Sequence, residues 1–133
     1  MNQIELPLFA PNETEAVDET LEEILQAYHA GNKLHAEVLC ENAVIRNPYN
    51  PDAWHMLGLL RNDSNDTKAA VKLICQAIDL NPANAKYYYN LGLIFDKSGE
   101  RRRASESYRH ALQLEPGLFS GASASREFLI DEV

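Results

Sequence analysis

Cysteine is scarce in this chain: Cys40 and Cys75 are the two in 133 residues, and they form no C-x-x-C pair. No histidine lies close to either in sequence, so both are expected to be structural, buried thiols rather than metal or redox groups. No run of about 18 apolar residues occurs, which excludes a helical membrane span. The first residues lack the basic and apolar regions of a secretory leader, and the expected compartment is the cytoplasm. Asn12, Asn62 and Asn65 begin N-x-Ser/Thr triplets, which matter only in a secreted chain. Positive charge is also short, with 12 Lys and Arg against 20 Asp and Glu and a net charge of -8. Nucleic acid and anionic membrane surfaces need a positive footprint, so neither is an expected partner. There is no Gly-rich phosphate loop, no Ser-His-Asp arrangement and no metal-ligand spacing. His29, His35, His55 and His110 are scattered, and even two of them brought together would lack a third ligand. No catalytic residue, cofactor or metal is expected.

What the chain does have is a repeated pattern. Residues 81–116 read NPANAKYYYNLGLIFDKSGERRRASESYRHALQLEP. Tyr88, Leu91, Gly92 and Phe95 fall at i, i+3, i+4 and i+7 and share one helical face. Ala104, Tyr108, Ala111 and Leu112 share another. Ser98-Gly99 breaks the chain between them, because Gly adopts the left-handed conformation at little steric cost. Stepping back 34 residues finds Trp54, Leu57, Gly58, Ala70, Ile74, Ala77, Ile78 and Pro82. A further step finds Gly31, Ala36, Cys40, Ala43, Val44 and Pro48. Prolines 48, 82 and 116, alanines 36, 70 and 104, and alanines 43, 77 and 111 therefore hold one register.

This pattern resembles the tetratricopeptide repeat, W-x2-L-G-x2-Y followed by A-x3-F, Ala and Pro in a 34-residue unit. The resemblance implies an all-α fold, an α-solenoid of antiparallel helix pairs, with repeats at about 17–50, 51–84 and 85–118. In the first repeat Thr20, Glu23 and Ile24 stand where Trp54, Leu57 and Gly58 stand next, as befits a terminal unit. Asn65 replaces the usual turn glycine and tolerates the left-handed conformation nearly as well. Residues 1–14 are expected to be an extended or frayed segment, whose Ile4, Leu6, Leu8 and Phe9 could instead dock in a groove. A capping helix is expected over about 120–131. Arg101, Arg102 and Arg103 open a helix, where the dipole disfavours them, and read as a solvated edge.

The resemblance places the first helix of each pair on the inner surface. Columns carried through the register put Leu25, Leu59 and Leu93 in one row, Leu21, His55 and Tyr89 in a second, and Glu22, Met56 and Asn90 in a third. Asp18, Asp52 and Lys86 stand at one edge, with Tyr28, Asn62 and Asp96, then His29, Asp63 and Lys97, at the other. In proteins this sequence resembles, these columns line a peptide-binding groove, here apolar in the middle and mostly acidic at the rim. The leucines could equally pack against neighbouring first helices, and both roles can coexist. The expected partner is an apolar protein segment or peptide carrying Lys or Arg. Of the cationic columns that clamp a C-terminal carboxylate in one subset of the family, only Lys86 matches, which disfavours that mode. Of the inner asparagines in longer transferase arrays, only Asn90 is present. The expectation is a non-catalytic interaction module or adaptor. Its alternatives are a substrate-recognition region related to glycosyl- or sulfotransferases and a small secretion or assembly chaperone. Weak self-association through 119–130 or the N-terminal segment stays open.

Overall fold

The computed structural model describes residues 21–119, and the expected N-terminal segment and capping helix lie outside them. Helix α1 is described over residues 21–29. It is followed by α2 (Lys33–Arg46), α3 (Pro51–Asp63), α4 (Thr67–Leu80), α5 (Ala85–Lys97), α6 (Arg101–Leu114) and a 3-10 turn at Pro116–Phe119. The helices pair as α1/α2, α3/α4 and α5/α6, and no strand occurs among the described residues.

Local chemistry sets these boundaries. The side chains of Asn32, Asn50, Asp66 and Asn84 accept hydrogen bonds from first-turn N–H groups of α2, α3, α4 and α5, satisfying donors that no helix can satisfy itself. Helix α6 starts at Glu100 without such a bond. Within each hairpin the turn residue has positive φ: Gly31 at 87°, Asn65 at 66° and Gly99 at 84°. Asn65 thus performs the turn expected of it. Between hairpins, the Asn47 and Asn81 side chains accept from Tyr49 and Ala83 N–H, each fixing the bend around its proline.

Ala36, Ala70 and Ala104, and Ala43, Ala77 and Ala111, are all buried. Size exchange holds each hairpin together. On the second helices one column grows from Cys40 to Ile74 to Tyr108, while its counterpart on the first helices shrinks from Ile24 to Gly58 and Gly92. A Cβ on Gly58 would meet Ile74 Cγ1 at 2.7 Å, and one on Gly92 would meet the Tyr108 ring at 2.5 Å. The core forms two clusters, one across α1–α3 and one across α4–α6, and half-buried Trp54 packs against both. Its indole N–H donates to the Pro48 carbonyl at 2.8 Å.

Tyr88 packs half-buried against the core, stacking on His110 at 4.4 Å between centroids, and Tyr87 beside it is sealed deeper. One expectation changes: Cys40 is buried and its thiol donates to the Ala53 carbonyl, but Cys75 is exposed. Burial pushes the Cys40 thiol up to about 12, so it stays protonated.

Candidate functional site

Helices α1, α3 and α5 present adjacent faces, and their polar contacts follow one rule. The Tyr28 hydroxyl donates to Asp63 at 2.7 Å, and the Tyr87 hydroxyl donates to Asp52 at 2.5 Å. The Asn90 amide donates to His55 Nε2 at 2.8 Å, and Lys97 Nζ donates to the Asn62 carbonyl at 3.4 Å. Every one of these pairs is 35 residues apart, one more than the repeat. Successive first helices are therefore displaced so that each column meets the next column of the following repeat. The result is a ladder of polar rungs across α1, α3 and α5.

Burial keeps His55 neutral. Its pKa falls to about 4, chiefly through desolvation, with Asp52 opposing and Lys86 reinforcing the shift. A neutral ring can accept the Asn90 hydrogen bond, and it also packs on Tyr87 at 4.7 Å between centroids. Desolvation, then the bond to Asp52, raises the Tyr87 hydroxyl well above its ordinary range. Tyr28 is raised by its hydrogen bond to Asp63.

Between the rungs lie two adjoining cavities. One, of about 240 Å³, is lined by Leu25, Tyr28, Met56, Leu59 and Asn62 together with His29, Leu60 and Asp63. The other, of about 360 Å³, is lined by Leu21, Leu25, Asp52, His55, Met56 and Lys86 together with Asn84 and Tyr87. The two lie on either side of the small end of ligand pockets, about 300 Å³, and each suits one or two side chains. The leucine row is not sealed: Leu25 is 41% and Leu93 38% exposed, and Leu59 is half-buried under α5.

The expected groove residues thus divide. Leu21, Leu25, Met56 and Leu59 form an apolar floor, while Tyr28, Asp52, His55, Asn62, Asn90 and Lys97 are tied into the ladder. Glu22, Tyr89, Leu93 and Asp96 line neither cavity, and the Tyr89 ring instead lies 5.8 Å from that of Tyr108. Tyr87 and Asn84 were missed. Tyr87 shares its column with Ala53, also buried, and that match in burial was hidden by the difference in size. Among the described residues no group of His, Cys, Asp or Glu is placed to hold a metal, and no helix is long and apolar enough to cross a membrane.

Comparisons with known proteins agree with this fold. The tetratricopeptide repeat profile matches residues 51–84 and again residues 85–118. Comparison with curated proteins gives no significant match. Among solved structures, a mutant O-GlcNAc transferase of Thermobaculum terrenum is 32% identical, with a TM-score of 0.76 over 80% of this chain. The match spans 21% of that enzyme. MamA is 27% identical with a TM-score of 0.72, covering 78% of this chain and 61% of its own. The first repeat domain of Spaghetti (RPAP3), solved with an HSP90 peptide, has a TM-score of 0.78 at 20% identity over 87% of this chain and 90% of its own, a likeness of fold alone. On its two repeat matches, its helical hairpins and its shared columns, the chain belongs to the tetratricopeptide repeat family.

Proposed function

We propose that this chain is a non-catalytic protein-interaction module that holds a partner's peptide or helix along α1, α3 and α5. The observation that carries this reading is the apolar floor of Leu21, Leu25, Met56 and Leu59, left open between polar rungs. The rungs pair the side chains of Tyr28, Asp52, His55, Asp63, Tyr87 and Asn90, so apolar side chains can enter beside them, while the buried Asn62 Oδ1, unpartnered among the described residues, is left to accept from a donor of the bound segment. Glu22, Asp52, Asp63 and Asp96 outnumber Lys86 and Lys97 along the edges, which favours a partner segment carrying Lys or Arg. Solved structures of similar fold include complexes with an HSP90 peptide and with a YopD peptide, and these support a groove of this size holding a segment. Three hairpins offer modest area, and an affinity on the order of micromolar is expected.

The 32% identity to the O-GlcNAc transferase favours a second reading, in which the repeats select substrates for a transferase. Because the match spans a fifth of that enzyme, this reading requires a catalytic partner or further chain. Replacing Leu59→Glu together with Leu93→Glu tests the groove directly. The expected result is a chain of unchanged helicity by circular dichroism that loses its partners in a pull-down. A folded double variant that keeps every partner ends the groove reading.

A further inference from the structure

Arg61 and Phe95 occupy one place in successive repeats and act in opposite ways. Arg61 reaches from α3 to Glu37 and Glu41 of α2, and this ionic triad spans the seam. One repeat later the same three places hold Phe95, Val71 and Cys75. The rim is exchanged as well, since Leu34, Val38 and Ala69 of the earlier seam become Lys68, Lys72 and Arg103. The later seam is open: a cavity of about 690 Å³ lies between the first turns of α4 and α6, with Val71 and Phe95 among its lining and those three cations at its edge.

Charge follows the same division. Residues 1–66 hold three Lys or Arg and twelve Asp or Glu, whereas residues 67–110 hold eight and four. Arg103 is engaged, pairing with Glu100 at 3.3 Å and lying 5.6 Å from the Phe95 ring centroid. Arg101 and Arg102 are exposed beside it, at a helix start that disfavours cations, so helix formation gives no reason for them. An apolar floor with Lys68, Lys72 and Arg103 at its rim favours an acidic chain with an apolar side chain to bury.

We propose that this cavity is a second docking site, distinct from the groove, for an acidic peptide segment bearing an aliphatic or aromatic anchor. The anchor sits on Val71 and Phe95, and flanking carboxylates pair with Lys68, Lys72 and Arg103. Asp66 and Glu100 in the rim, and the net charge of -8, disfavour a polyanion such as nucleic acid. An isolated carboxylate-bearing segment tolerates both.

The test is a selection of displayed random twelve-residue peptides on the whole chain. Recovered peptides are then labelled and titrated by fluorescence anisotropy against three proteins: the wild type, Lys68→Glu with Lys72→Glu, and the groove variant Leu59→Glu with Leu93→Glu. The expected result is a class of acidic peptides with one apolar anchor, weakened about tenfold or more by the lysine reversals and by added salt. The groove variant leaves that class within about twofold, so failure of the groove reading and failure of this one are separable. Both lysines are exposed, so their reversal spares the core. Recovery of only neutral or basic peptides, or of acidic peptides indifferent to the lysine reversals, overturns the proposal. A labelled single-stranded oligonucleotide that binds as tightly as the best peptide, and loses binding with the same lysines, also overturns it.

Discussion

The second and third hairpins share the asparagine caps of their first helices, their positive-φ turns and their alanine columns, yet the seams in front of them are built from opposite materials. Ahead of α4, Arg61 spans Glu37 and Glu41, polar inside with exposed Leu34 and Val38 outside. Ahead of α6, Phe95 and Val71 lie inside, with Lys68, Lys72 and Arg103 outside. A repeat fold fixes backbone spacing through its small residues, and leaves the seam free to be a lock or a site.

The largest expected contrast comes from truncating the shared place. Phe95→Ala removes a buried ring and should cost about 3 to 5 kcal/mol. Arg61→Ala should cost about 1 to 2 kcal/mol, since its partly exposed partners can recover water. Urea unfolding of both variants measures the difference, and equal losses would show that the two seams do the same structural work.

A second contrast lies between rungs of the ladder, and pH reads it. His55 titrates near 4 when folded and near 6.5 when unfolded. Below pH 6.5 the unfolded chain therefore binds a proton that the folded chain refuses until about pH 4, and stability falls across that window. From pH 7 to 4 the loss assigned to His55 is at most about 3 kcal/mol. His55→Gln should flatten this part of the profile, and an unchanged profile would remove His55 as its source.

The packing glycines give the next step down. Gly92→Ala drives a methyl into the buried Tyr108 ring and should cost about 2 to 3 kcal/mol; Gly58→Ala meets the slimmer Ile74 and should cost about 1 to 2 kcal/mol. Thermal unfolding of the pair tests whether the larger partner is the less forgiving one.

Much of this fold was legible because the same columns recur. Alanines, turn glycines and prolines at 34-residue intervals announced the hairpins, and Asn65 was readable as a turn from its tolerance of positive φ. The ladder was not legible. Comparing like columns looks at separations of 34, whereas the rungs join residues 35 apart, a displacement set by how successive helices pack. Tyr87 escaped for a related reason, since its column pairs an aromatic residue with Ala53 and no single residue type marks it. The seam cavity was not legible because Phe95 also fits the packing face of α5, and the column it shares with Arg61 has no common residue type to mark it. Arg101, Arg102 and Arg103 read from the sequence as a solvated edge, and all three are exposed, while Arg103 also pairs with Glu100 and lies over the Phe95 ring.

The smallest expected change in stability comes from exchanging the two seams outright. Glu37→Val, Glu41→Cys and Arg61→Phe together write the third repeat's filling into the second, and a matched apolar set in place of a partly buried ionic triad should shift stability by less than about 1.5 kcal/mol either way. The reciprocal set, Val71→Glu, Cys75→Glu and Phe95→Arg, installs the lock where the cavity now stands. If filling alone decides between lock and site, the reciprocal protein should stay folded yet lose acidic peptides, because its own glutamates and arginine would satisfy one another across the gap. Acidic-peptide binding that survives this exchange would place recognition in the rim cations alone, and reduce the apolar floor to packing.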